Sequence, residues 1–157
     1  MAAGTQWATG VAGVRAVVAA AVRSVNGPAA GGAGAYVVRL QLPQGLPPVV
    51  AGGPELGAAV AALVGHAVRR SPPGVRVLVR ALVADGPDGR PERVEVRVAD
   101  RGPSVPGEAD HWASGGLRES RAVDALVRAG WARFAVEATP GGGLTTVLAL
   151  PLARVPD

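Results

Sequence analysis

The stretch that most constrains the fold is VEVRVADRGPSVP, residues 94–106. Val94, Val96 and Val98 alternate with Glu95, Arg97 and Ala99, the period-two pattern of a strand with one buried face. Asp100-Arg101-Gly102-Pro103 follows directly. Glycine and proline break the strand there, so one carboxylate, Asp100, stands where a buried strand opens into a loop. Such a position presents an acid to a small ligand. The same residues also make an Asp-initiated turn, and the stretch alone leaves both readings open.

The flanking sequence supplies the rest of a layered fold. Residues 9–25 read as a helix with Val11, Val14, Val17, Val18, Ala21 and Val22 on one stripe, stopped by Asn26-Gly27-Pro28. Residues 35–42 alternate as a strand, and residues 43–54 form a proline-punctuated crossing segment. Residues 55–70, ELGAAVAALVGHAVRR, read as a second helix. Leu56, Val60, Leu63, Val64 and Ala67 make its core face. Ala59, Ala62, His66 and Arg70 make another face of mostly small residues, with room for something against it. Ser71-Pro72-Pro73-Gly74 ends that helix.

Residues 75–83 form a strand, and Asp85-Gly86-Pro87-Asp88-Gly89 is a hairpin-like loop into the Val94 strand. After a polar loop, residues 117–129 read as a third helix with Leu117, Ala122, Ala125 and Leu126 inward. Residues 131–139 and 144–152 are strands joined by Pro140-Gly141-Gly142-Gly143. This order predicts an α/β fold, a two-layer α/β sandwich with helices on one face of a mixed, mainly antiparallel sheet. The expected organisation is an N-terminal helix and loop (1–34) packed on a domain of residues 35–152, with 153–157 as a tail.

Composition narrows the function. With 48% hydrophobic but only 3% aromatic residues, the core has to be built from Val, Leu and Ala. All 16 cationic side chains are Arg, and the net charge of +4 is spread along the chain with no Arg run interleaved with aromatics. No nucleic-acid partner is expected. No apolar run approaches the ~20 residues of a membrane span, and no signal peptide is read at the N-terminus. The absence of Cys fits a reducing cytoplasm, the expected location.

Four strings together resemble the ATP-binding catalytic domain of bacterial sensor histidine kinases, a fold shared with gyrase-type, chaperone and mismatch-repair ATPases. They are LPPVVAGGPELGAAVAALVGHAVRRSPPG (46–74), VEVRVADRGPSVP (94–106), SRAVDALVRAG (120–130) and FAVEATPGGGLTTVLALPL (134–152). The nearest look is to potassium-responsive sensor kinases, over roughly residues 35–152. The resemblance implies that Asp100 accepts the adenine amino group, beside Gly102 of an Asp-x-Gly-x-Gly box. It implies a phosphate cradle reduced to Gly115 and Gly116, with His66, Arg70 and Thr145 lining the same site.

Several positions depart from the family pattern. His66 stands where the family has a Mg²⁺-holding Asn, and imidazole nitrogen is a poor ligand for that hard cation. Ser104 replaces the box's second glycine, and the lid interval is about ten residues, with Trp112 its only aromatic. His66 and His111 are the only histidines, and neither lies on the first helix, so this chain offers no family-type phosphoacceptor. The expectation is a degenerate domain: weak ATP binding, Mg²⁺ only with ATP, no catalytic residue, and a regulatory role through a protein partner, either a signalling protein or its own kind. The alternatives are a working domain acting in trans, as stand-alone anti-sigma-factor kinases do, and a nucleotide-free homo-oligomeric scaffold.

Overall fold

The computed structural model describes residues 10–25, 37–103 and 121–153. Its elements in chain order are β1 (Val11–Ala12), α1 (Val14–Val25), β2 (Val37–Gln41), β3 (Val49–Val50), α2 (Gly53–Arg70), β4 (Arg76–Asp85), β5 (Pro91–Ala99), α3 (Arg121–Arg128), β6 (Arg133–Ala138) and β7 (Leu144–Pro151). Five strands form one sheet in the order β2-β4-β5-β7-β6, with β2 parallel to β4 and every other pairing antiparallel. The expected two-layer α/β sandwich is the observed one.

The valine alternation explains how the layers meet. Val77 and Val79 of β4 and Val94, Val96 and Val98 of β5 turn inward and are essentially inaccessible. They meet Leu56, Val60, Leu63 and Val64 of α2 in one core cluster with Val14, Val18 and Val22 of α1 and Leu126 of α3. A core without large aromatics has to close by matching branched aliphatic side chains, and each fully buried one contributes roughly 1.5–3 kcal/mol. The β4–β5 hairpin is closed by the Gly86 amide donating to the Arg90 carbonyl, with the Arg90 amide on Asp88 Oδ1.

The structure corrects several details. Val11 is not on the α1 stripe: it lies in β1, 59% exposed, paired with Val50 while Ala12 pairs with Val49. Backbone pairing to β3 wins over one more helical turn because Ala12 and Val49 bury their side chains in doing so. Residues 43–54 therefore hold a short strand as well as a crossing. Ala59 of α2 is fully buried, so the small-residue face is partly core. In α3 the inward pair is Val123 and Leu126, three residues apart, while Ala125 is exposed. Leu117 lies outside the described residues.

Candidate functional site

Asp100 follows the last residue of β5, where the inward parity of Val94, Val96 and Val98 continues. It is 2% exposed. Its backbone stays tied to the sheet by donation from the Asp100 amide to the Leu144 carbonyl at 2.8 Å. Its Oδ1 accepts from the Gly102 amide at 2.9 Å and the Leu144 amide at 3.1 Å. Its Oδ2 accepts from Arg70 Nε at 2.9 Å. Arg70 is the last residue of α2, and its Nη2 also reaches the Pro103 carbonyl at 2.6 Å. The guanidinium thus bridges the helix end, the buried acid and the loop beyond it. A buried carboxylate requires such partners, since an uncompensated charge is costly to desolvate.

Two glycines set the shape of this corner. A Cβ on Gly102 would lie 2.5 Å from the Arg70 carbonyl oxygen, so the glycine lets the loop pack on the helix end. Gly143, at φ +104°, lies so close to Asp100 that a Cβ would sit 2.0 Å from its carbonyl oxygen. The triglycine is a hairpin turn, as expected: the Thr139 amide donates to Gly143 and the Gly142 amide to Thr139. It also builds one wall of the acid's setting, which the sequence did not disclose. A glycine-rich hairpin reads locally as a turn, and nothing near it in sequence names Asp100 as its neighbour.

The structure brings Arg70, Asp100 and Gly102 together. His66 lies one turn before Arg70 on α2, half-buried, with partners of its own. Thr145 pairs across from Ala99 and Glu137 and so points to the sheet face away from the helices, where its hydroxyl meets Thr139 Oγ1 at 2.9 Å. Its neighbour Thr146 takes the inward position, opposite Val98. Gly115, Gly116, Ser104, His111 and Trp112 lie outside the described residues. Among the described residues no cluster of three or more His, Asp or Glu side chains is arranged to hold a metal ion, and no helix is long and apolar enough to cross a membrane.

No protein-family model matches the chain, and no curated protein matches it in sequence. Solved structures do. Full-length ShkA in complex with AMPPNP superposes with a TM-score of 0.72 at 20% identity, over 94% of this chain and 32% of that one. The chain thus spans about a third of that protein. The mycobacterial sensor histidine kinase MprB gives 0.67 at 21% identity, over 94% of this chain and 99% of that one. The catalytic domain of histidine kinase ThkA, in a nucleotide-free form, gives 0.67 at 13% identity, over 93% and 98%. The fold of this chain is that of histidine-kinase catalytic domains.

Proposed function

We propose that this chain, built on the histidine-kinase catalytic fold, is a degenerate member of that group: a regulatory module that works through protein contacts and binds ATP weakly. The observation that carries this reading is the state of the Asp100 carboxylate. Both its oxygens hold protein donors, Oδ1 two amides and Oδ2 the charged Arg70 guanidinium, so what acceptor capacity is left lies on Oδ2. An adenine amino group has to compete with a buried, charge-assisted bond to reach it, and such bonds are about twice as strong as neutral ones. The residues as arranged therefore fit the base poorly, in keeping with weak binding. His66 adds a nitrogen where Mg²⁺ favours oxygen, so Mg²⁺ enters only with a nucleotide. Calorimetric titration with ATP, with and without Mg²⁺, tests this. Affinity no tighter than about millimolar is expected; micromolar, Mg²⁺-dependent binding overturns it.

A second reading, a working ATP-binding domain acting in trans on a partner, draws support from the likeness to ShkA, a protein whose structure holds AMPPNP. It requires Arg70 to swing away when nucleotide arrives. Transfer of labelled phosphate from ATP to a partner protein's histidine or serine would establish it.

A further inference from the structure

The sheet face away from the helices is strongly basic. Strand register places Arg39 of β2, Arg76 and Arg80 of β4, Arg93 and Arg97 of β5 and Arg133 of β6 on it, against two carboxylates, Glu95 and Glu137. The centre of the face is internally neutralised: Glu95 bridges Arg93 and Arg97, and Arg97 also bonds Glu137. Arg39, Arg76, Arg80 and Arg133 are exposed and have no carboxylate partner among the described residues. Toward β6 the face opens into a hollow of about 1110 Å³ lined by Glu95, Arg97, Arg133 and Glu137 and, at its edge, by Val127 and Phe134.

We infer that this helix-free face is a docking surface for an acidic segment of a partner polypeptide. Charge complementarity decides the sign of the partner, since four uncompensated guanidiniums on one twisted sheet raise the local potential and favour carboxylates. Shape and composition decide its class. Its large apolar side chains, Leu78 and Leu82 of β4, are half-buried beside Arg80 and opposite Ala99 and Glu95, so they give a bilayer no exposed apolar patch to take up. Among the described residues it carries no aromatic side chain on which unpaired bases stack, since Phe134, at the edge of the hollow, has the inward parity of Leu148. Its centre, already neutralised by its own ion pairs, gives a continuous phosphate backbone nothing to pair with, whereas a polypeptide's carboxylates can be set apart to meet the flanking arginines. Neighbouring strands lie about 4.8 Å apart and alternate residues of one strand about 7 Å apart. An extended acidic chain has the same spacings. The surface lies opposite Asp100 and does not depend on whether nucleotide binds.

The test is fluorescence anisotropy of the full chain with a labelled glutamate-rich peptide at low and high salt, beside labelled duplex DNA and phosphatidylserine vesicles. The peptide is expected to bind in a salt-dependent way, and Arg39→Glu/Arg76→Glu/Arg80→Glu is expected to weaken it at least about tenfold. Arg39→Gln/Arg76→Gln/Arg80→Gln should weaken it less, and both variants should keep the native circular dichroism spectrum. The charge-matched control Arg15→Glu/Arg23→Glu/Arg121→Glu, on the helical layer, should bind as the native chain does. Equal loss in both glutamate triples, absence of peptide binding at low salt, or tighter binding to DNA or vesicles than to the peptide each overturns the inference.

Discussion

Arg70 Nε donates to Asp100 Oδ2 at 2.9 Å across 30 residues of sequence, joining the end of α2 to the first residue after β5. The side chains are 12% and 3% exposed, so the pair is sheltered from solvent. The contact thus ties the end of α2 to the sheet and occupies the acid that the fold presents at its strand end.

Arg70→Ala leaves Asp100 buried without its cation. Loss of one partner of a buried pair costs about 3 kcal/mol, which urea denaturation should read as a lower midpoint at unchanged slope. The same variant frees Oδ2. On the proposed function it binds ATP at least about tenfold more tightly than the native chain, and Asp100→Asn in that background removes the gain. A variant that is destabilised yet no better at binding ATP argues that Arg70 is structural only.

Two of the turn glycines, Gly142 and Gly143, should grade by what surrounds them. Gly142→Ala meets open space but a φ of +116°, so backbone strain of about 1–2 kcal/mol is the whole cost. Gly143→Ala adds a clash with the Asp100 backbone, which cannot retreat without releasing its bond to Leu144, and should cost clearly more. Thermal denaturation of the two alanine variants measures the order. Equal losses would mean that the hairpin yields freely.

Thr145→Val removes the hydroxyl contact to Thr139 and should cost about 1 kcal/mol. Because Thr145 faces away from the helices, calorimetry should find its ATP affinity equal to that of the native chain. A change in affinity would place Thr145 in the nucleotide site after all.

The Arg93–Glu95–Arg97–Glu137 ladder is partly open to solvent, so Glu95→Gln should lower the melting midpoint slightly in dilute buffer, and the difference should shrink in high salt. The Arg93 guanidinium is raised above its ordinary pKa, chiefly by its hydrogen bond to Glu95. Stability from a raised group is complete below its unfolded value and is lost only as pH climbs through the folded one. For an arginine that window lies far above neutrality, so the Arg93 contribution stays flat between about pH 6 and 9.

Local periodicity made most of the elements legible. The Val94, Val96, Val98 alternation predicted a strand buried on one side, and the Leu56, Val60, Leu63, Val64 spacing predicted the core face of α2; both hold because side-chain direction repeats every two or about 3.6 residues whatever lies elsewhere. The end of α1 misled at Val11, since nothing within ten residues announces a pairing with Val50. The site was half legible. Asp100 and Gly102 stood out by type and spacing, whereas Gly143 looked like a turn and nothing more.

The sequence by itself determined the layers, the hairpins and the placement of one acid at the end of a buried strand, because each follows from short-range rules of period, turn chemistry and burial. Only the tertiary structure decided what that acid touches. The partners of Asp100 are Arg70, 30 residues away, and Leu144, 44 residues away. Sheet register and helix packing alone bring them within hydrogen-bond reach. The same register gathers arginines from four strands onto one face, where a chain that seemed evenly charged along its length becomes basic on one side.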